Sequence, residues 1–123
     1  MATWNLSETS HHILICNGGS CMKQGGEEVT LAIREAIKDL GIDDMVHTTR
    51  TRCNGRCEDA CVVIVYPEGI WYQGISRQTG KEIITKHIQE KTILEDSLAY
   101  QYSDGGFLRQ QEAPVGIYKR DIR

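Results

Sequence analysis

The pattern of apolar and polar positions changes period along the chain, and each period predicts a type of element. Residues 11–15, HHILI, form a short apolar run suited to a buried strand that ends at Cys16. Glu27 and Glu28 then open a stretch with helical spacing, and Gly41 suits the position just past its end. The apolar positions of this stretch are Val29, Ala32, Ile33, Ala36, Ile37 and Leu40. Because they share one face, the spacing predicts an amphipathic helix.

Further strands are predicted in the middle of the chain. Residues 45–52, MVHTTRTR, alternate in character and contain β-branched threonines, which favours a strand. Residues 61–66, CVVIVY, are almost wholly apolar and are typical of a central strand covered on both faces. A tight turn at 67–69, PEG, and a return strand at 70–75, IWYQGI, complete a predicted hairpin.

A second helix is predicted after the hairpin. Thr79 and Glu82 have the spacing of a T-x-x-E capping box at its start. The side chains along one side of this helix are Ile83, Ile84, His87 and Ile88. The resulting order β-α-β-β-β-α predicts an α/β fold, a thioredoxin-like mixed sheet flanked by helices. Its first two strands should pair in parallel through a right-handed crossover.

The same pattern predicts three parts of the chain. Residues 1–10 form an N-terminal tail, residues 11–92 form the domain, and residues 93–123 form a C-terminal extension. The extension contains Gly-Gly, a proline and scattered aromatic residues without a clear period. We expect it to be an arm that docks on the core or on a second subunit.

Composition narrows the class of protein. The chain has 123 residues, of which 40% are hydrophobic and 25% charged, as expected for one globular domain. A formal net charge of -3 argues against a general nucleic-acid binder. No apolar run approaches the length of about 20 residues that spans a bilayer, and the first residues lack the basic and apolar regions of a secretory signal. We therefore expect a cytoplasmic protein, in which clustered cysteines are more often metal or redox centres than disulfides.

Five cysteines occur in two groups that follow predicted strands. CNGGSC, residues 16–21, follows the first strand, and RCNGRCEDAC, residues 52–61, follows the strand that should lie parallel to it. The two loops should emerge at the same edge of the sheet, so four thiolates can converge on one point. Gly18, Gly19 and Gly55 leave room for that approach and allow positive φ values.

The cysteine spacing allows more than one kind of centre. Four thiolates favour zinc or an iron–sulfur cluster. Structural zinc usually uses tighter pairs such as C-x2-C, and none is present here. The plant-type iron–sulfur pattern needs a cysteine at position 24, where this chain has Gln24, and the bacterial C-x2-C-x2-C-x3-C run is also absent. Spacing alone favours iron–sulfur over zinc and leaves both open.

Two longer motifs carry a family resemblance. ILICNGGSC, followed by RCNGRCEDACVVIVYPEGIWYQGI, resembles the thioredoxin-like [2Fe-2S] ferredoxin family over roughly residues 11–92. That resemblance implies a [2Fe-2S] cluster with four cysteine ligands and a chain that is often a homodimer. The implied ligands are Cys16, Cys21, Cys53 and Cys57. More loosely, the chain resembles a ferredoxin encoded among bacterial cobalamin-biosynthesis genes.

The fifth cysteine departs from the family pattern. Relatives commonly have a Gly-Pro step where this chain has Ala60-Cys61. Cys61 also repeats the C-x3-C spacing that Cys53 and Cys57 have. One interpretation makes Cys61 a small buried hydrophobic residue at the start of the central strand. The other makes it an alternate ligand or a spare redox-active thiol.

Three arginines, Arg50, Arg52 and Arg56, flank the second cysteine pair. A cluster with four thiolates carries roughly -2 charge. The arginines therefore raise the potential of the cluster, dock an acidic partner, or form a solvated basic rim.

The sequence predicts a soluble one-electron carrier between a reductase and a client enzyme rather than an enzyme, with a cobalamin connection resting on the looser resemblance. No acid–base or nucleophilic constellation accompanies the cysteines, and no GxGxxG or P-loop occurs. Three alternatives remain open: an iron–sulfur interaction, sensing or assembly module, a structural zinc protein, and an electron-transfer subunit of a larger dehydrogenase.

Overall fold

The computed structural model describes residues 2–110 and 113–122 and contains one six-stranded mixed sheet with helices. The strands are β1 (His11–Cys16), β2 (Val46–Thr51), β3 (Val63–Tyr66), β4 (Ile70–Tyr72), β5 (Leu98–Ser103) and β6 (Gly106–Arg109). The α-helices are α1 (Gly19–Lys23), α2 (Gly26–Asp39) and α3 (Arg77–Glu82), and α3 continues as a π-helical turn, Ile83–Ile88. Short 3-10 turns occupy Cys57–Asp59, Glu95–Ser97 and Lys119–Ile122.

The sheet has the strand order β2-β1-β3-β4-β5-β6. β1 and β2 pair in parallel, with His11 opposite Val46 and Cys16 opposite Thr51. All other neighbours are antiparallel. The predicted thioredoxin-like mixed sheet is thus confirmed. Because β1 and β2 end side by side, the loops that follow them start at the same edge.

One face of the sheet forms the core with the helices. Residues directly opposite each other on paired strands point to the same face, and Tyr72 on this face reaches His87 in the π-helical turn that continues α3. The strand residues of this face are all at most 1% exposed: Ile13, Ile15, Val63, Val65, Ile70 and Tyr72. Full burial of each such aliphatic side chain contributes about 1.5–3 kcal/mol.

The other face of β4, β5 and β6 is aromatic. Trp71 lies opposite Tyr100, and Tyr102 lies opposite Phe107. The Phe107 ring meets Trp71 and Tyr102 edge-on, with centroids 6.0 and 5.6 Å apart. Tyr102 and Phe107 remain about half exposed, so this face is only partly covered.

The start of the second helix differs from the prediction. Ser76, not Thr79, is the N-cap: its hydroxyl accepts from the Thr79 N–H at 3.2 Å, and the Thr79 hydroxyl accepts from the Ser76 N–H at 2.7 Å. The predicted Thr79–Glu82 box is therefore wrong. The backbone at Ser76 is extended and places its hydroxyl where it can cap the helix, three residues before the predicted cap at Thr79.

The return strand and the C-terminal residues also differ in detail from the sequence pattern. β4 ends at Tyr72 rather than at residue 75, and Gly74 has a positive φ of 57° that ends the extended run. After residue 93 the chain adds β5 and β6 to the same sheet, joined by a tight turn with positive φ at Asp104 and Gly105. The division into residues 1–10, 11–92 and 93–123 stays a prediction.

In the described part of the chain, no helix is long and apolar enough to cross a membrane.

Candidate metal centre

Four cysteines from the two loops line one small cavity. Cys16 ends β1, Cys21 lies in α1, and Cys53 and Cys57 follow β2. The cavity between them has a volume of about 10 Å³ and is also lined by Gly18, Ser20 and Arg56. The convergence that the parallel pairing of β1 and β2 predicts is therefore present in the structure.

Close contact between the two loops depends on Gly18. A Cβ atom placed on Gly18 would lie 2.7 Å from both Cα and N of Cys53 and 2.9 Å from its Cβ. Carbon atoms do not approach that closely, so any side chain here would push the loops apart. The neighbouring Gly19 has no atom within 4 Å of such a Cβ position, so the requirement is specific to Gly18.

The sulfur atoms of Cys53 and Cys57 are 3.6 Å apart. A disulfide would need about 2.05 Å. Two thiolates on one tetrahedral metal, each bound at about 2.3 Å, lie about 3.8 Å apart. All five cysteines are free, so this pair is spaced like two ligands of one metal ion. The Gly55 N–H donates to the Cys53 sulfur at 3.3 Å and would stabilise a thiolate there.

The two cysteine pairs differ in burial. Cys16 and Cys21 are 3% exposed, whereas Cys53 and Cys57 are exposed. Burial raises the pKa of Cys21 to about 12, and the neighbouring Cys16 adds to the shift. For Cys16 burial also acts to raise the pKa, but hydrogen bonds from Gly18, Cys21 and Asn54 outweigh it, and its pKa lies below the ordinary value. The two pKa values shift in opposite directions because a hydrogen bond between the two sulfur atoms favours the charged form of Cys16 and the neutral form of Cys21.

Cys61 lies behind this cavity and is absent from the described residues that line it. Its side chain is buried, and its thiol donates to the carbonyl oxygens of Cys21 and Gln24, each at 3.3 Å. Burial raises the pKa of this thiol. The strand begins two residues later than predicted, at Val63. These contacts fit a buried residue that supports the first ligand loop; a role as alternate ligand stays a prediction.

The three flanking arginines have different surroundings. The Arg50 guanidinium donates to both carboxylate oxygens of Glu27, at 2.9 and 3.2 Å. Arg56 donates to Asp59 at 2.6 Å. Arg52 is exposed, and it is therefore the best placed of the three to meet a partner.

The histidines lie elsewhere. His11 and His87 both contact the carboxylate of Glu68, at 3.1 and 3.0 Å, and His12 contacts the Thr49 hydroxyl at 2.8 Å. Neither these nor His47 is among the described residues that line the cysteine cavity. His87 is 2% exposed and is buried together with the isoleucines that share its side of the helix.

A larger groove opens next to Cys57 on the aromatic face of the sheet, with a volume of about 670 Å³. One wall is the loop around Cys57, and another comes from the segment 113–119, here called the C-terminal strap, through residues 114–117 and Lys119. The sequence pattern did not predict this groove, because the strap has no period and meets the loop from far along the chain. The one local signal was the i, i+3 spacing of Arg56 and Asp59.

The residues present fit a cluster held by thiolates. Among residues 2–110 and 113–122, no three His, Cys, Asp or Glu side chains already surround a single metal-ion position. The four thiols instead ring a cavity between two loops, and Gly18 keeps that space free of side chains. Thiolates are the usual ligands of iron–sulfur clusters.

Comparison with known proteins agrees with this geometry. The family model for thioredoxin-like [2Fe-2S] ferredoxin matches residues 5–88. A Priestia megaterium protein assigned as a 2Fe-2S ferredoxin is 49% identical over 92% of this chain and 88% of its own length. A Clostridium pasteurianum 2Fe-2S ferredoxin is 29% identical over 68% of this chain and 90% of its own.

A solved structure gives the same result. The thioredoxin-like [2Fe-2S] ferredoxin of Aquifex aeolicus superimposes with a TM-score of 0.73 at 27% identity, over 80% of this chain and 97% of that one. The fold, the paired cysteine loops and the sequence matches lead to one conclusion: the chain belongs to the thioredoxin-like [2Fe-2S] ferredoxin family, and its cofactor is a [2Fe-2S] cluster.

Proposed function

We propose that this protein carries single electrons between a reductase and a client enzyme, and that Cys16, Cys21, Cys53 and Cys57 are the cluster ligands. The observation that carries the proposal is the convergence of these four thiols on one cavity at the sheet edge. Two ligands come from each loop, which matches the pattern that the family resemblance implies. The protein itself converts no substrate in this proposal.

A bound [2Fe-2S] cluster supplies one-electron redox chemistry. The chain's own residues hold and orient it. Cys16 and Cys21 are buried and would fix its inner side, whereas the exposed Cys53 and Cys57 would face the partner. The Gly55 N–H at Cys53 offsets part of the negative charge.

The proposed partners are redox proteins in the cytoplasm. Reduced thiols and iron–sulfur clusters are compatible with that reducing compartment. Exposed Arg52 beside the cysteines favours an acidic contact surface on the partner. The homodimer and the cobalamin pathway rest on the family resemblance alone.

The experiment is purification without oxygen, followed by assays of iron, sulfide and zinc on the wild type and on five Cys→Ser variants. We expect a coloured wild type with about two iron and two sulfide per chain. Substitution of Cys16, Cys21, Cys53 or Cys57 should abolish or alter the visible spectrum, whereas Cys61→Ser should keep it. A colourless protein with one zinc would overturn the proposal.

Cys61 can be tested in the same series. If Cys57→Ser keeps a normal spectrum and only the Cys57→Ser, Cys61→Ser double variant loses it, Cys61 exchanges with Cys57 as a ligand. Loss or alteration in the single variant would reject that exchange.

A second candidate is a module that holds the cluster for sensing or delivery, and the exposure of Cys53 and Cys57 is the observation that favours it. Cycles of dithionite reduction and reoxidation separate the two functions. A carrier should return to its starting spectrum at a fixed midpoint potential with its iron content unchanged. Loss of iron in each cycle would favour delivery.

A further inference from the structure

Arg56 precedes the proposed ligand Cys57. Among the charged residues next to proposed ligands in the described chain, it alone contacts three different parts of the fold. Its guanidinium donates to Asp59 at 2.6 Å and to the backbone carbonyl oxygen of Pro114 at 2.7 Å. It also lies over the ring of Tyr100, 5.0 Å from the centroid. One side chain therefore connects the loop of Cys57 to β5 and to the C-terminal strap.

The partners of Arg56 fix its position. The Asp59 side chain is 1% exposed, and its second oxygen has no hydrogen-bond partner among the described residues. A buried carboxylate is costly unless a cation accompanies it, so Asp59 holds Arg56 in place. The backbone adds to this hold, since the Asp59 N–H donates to the Arg56 carbonyl and the Gly74 N–H donates to the Asp59 carbonyl.

The strap packs closely on Arg56. A Cβ at Gly116 would lie 3.2 Å from the Arg56 Nη1 atom, which leaves little room for a side chain. The strap begins at Ala113, which is 3% exposed and whose carbonyl accepts from Arg109 at 2.6 Å. Beyond this anchored start, Val115, Ile117 and Tyr118 are largely exposed. Among the described strap residues, Pro114 is thus the last one that accepts a hydrogen bond from a side chain of another part of the fold.

We propose that Arg56 is a positioning residue that fastens the C-terminal strap as a second wall of the cluster site and thereby restricts access to the Cys57 side. The groove between strap and loop is the opening that remains. This inference rests on the proposed function, and it goes beyond it because the strap lies after the part of the chain that the family model matches. It also replaces the expectation that Arg56 acts as a free positive charge, because Asp59 neutralises it.

The test compares five chains, all purified with cluster: wild type, R56K, R52K, a chain truncated before residue 113, and the truncated chain with R56K. R56K keeps the positive charge next to Asp59 but loses the planar fork that bonds two partners at once. R52K is the matched control, because Arg52 is an exposed arginine of the same loop. The measured quantity is the rate of iron release to 1,10-phenanthroline, a neutral chelator, without oxygen.

We expect truncation and R56K each to raise the iron-release rate about tenfold, which corresponds to loss of one charge-assisted hydrogen bond. In the truncated chain R56K should cause no further increase, because the Pro114 carbonyl that Arg56 binds in the strap is gone. R52K should release iron at the wild-type rate. Equal rates in the full-length and truncated chains, or effects that multiply in the double variant, would overturn the inference.

The midpoint potential gives a second readout. Greater solvent exposure favours the more negative reduced state, so truncation and R56K should both raise the potential. If Arg56 acted through its charge alone, R56K would leave the potential unchanged. A wild type that binds no iron or sulfide would instead refute the proposed function, so the two failures are distinguishable.

Discussion

Gly18 is the residue on which contact between the two cysteine loops depends, because a Cβ there would overlap the backbone of Cys53. We expect Gly18→Ala to destabilise the folded site by about 1–3 kcal/mol and to lower the iron and sulfide content of the purified protein. Gly19→Ala is the matched control, since its Cβ would meet no atom within 4 Å. Equal iron content in both variants would show that the loops can separate without loss of the cluster.

His87 belongs to a buried chain of hydrogen bonds that sequence reasoning did not find. The Leu94 N–H donates to the Tyr72 hydroxyl, and this hydroxyl lies 2.7 Å from the Nδ1 atom of His87, to which it donates when Nδ1 carries no proton. The Nε2–H of His87 then donates to Glu68, which also contacts His11. Each group in this hydrogen-bond network has a partner when His87 is neutral and carries its proton on Nε2.

This arrangement predicts a pH dependence of stability. Burial lowers the pKa of His87 below its ordinary value, and the effect outweighs that of Glu68. The unfolded chain therefore binds a proton that the folded chain does not, so the free energy of unfolding falls as the pH drops below about 6.5. For Glu68 burial acts to raise the pKa, but hydrogen bonds lower it overall, so its contribution is lost only at more acidic pH.

The measurement is the urea midpoint at pH 8 and pH 6 for the wild type and His87→Asn. The loss of stability on acidification should be smaller in His87→Asn, because the titrating group is gone. Tyr72→Phe should also reduce the loss, since the removed hydroxyl donates to Nδ1 only when His87 is neutral. Acid also removes iron from all three proteins, so the quantity compared is the change in urea midpoint between pH 8 and pH 6 for each protein. An identical pH response in all three would contradict the prediction.

At the scale of elements, the start of α3 offers a direct test of its cap. Ser76→Ala should lower the free energy of unfolding by about 1 kcal/mol, because it removes the hydroxyl that accepts from Thr79. Glu82→Ala, at the position that the T-x-x-E spacing would make important, should change it by less than about 0.5 kcal/mol. Urea unfolding of both variants measures the difference, and the reverse order would restore the original prediction.

The elements that the sequence predicted are those with local signals. The apolar run before Cys16 and the helical spacing from Val29 to Ile37 are read from neighbouring residues, and both elements formed with ends within one or two residues of the prediction. The cysteine cavity followed from them, since parallel strands place the loops after them at one edge. The spacing of the cysteines favoured iron–sulfur over zinc but left both open, and the family resemblance selected iron–sulfur.

The elements that it missed depend on contacts between distant residues. β5 and β6 pack on β4 through aromatic pairs such as Trp71 with Phe107, which come from different parts of the chain. The strap is held by an arginine 58 positions before Pro114 and by a backbone carbonyl, which has no sequence signature. The D-G step at residues 104 and 105 was the one local sign of the last hairpin.

At the scale of the whole molecule, the proposed cluster site and the stabilising histidine network lie at opposite ends of the sheet's strands. The end with Cys16 carries the proposed cluster, whereas the Glu68 turn and the hydrogen-bonded histidines lie toward the start of β1. Changes in the histidine network should therefore alter stability with little effect on potential. Changes in the strap should alter the midpoint potential with little effect on stability. Measurement of the midpoint potential and of the free energy of unfolding on each variant checks this separation.

The separation of the two ends also determines how the protein would transfer electrons when it is attached to an electrode. Asp44 lies beside the start of β1, where its carbonyl accepts from Thr9, and the strand places Cys16 about 17 Å away. Lys119 lines the groove next to Cys57. A film coupled through carboxylates near Asp44 would hold the cysteine end outward, at a long tunnelling distance from the conductor. Coupling through Lys119 would turn the cysteine end toward the conductor. The orientation of the film would then set the rate of electron transfer at the electrode, and one protein could provide two such rates.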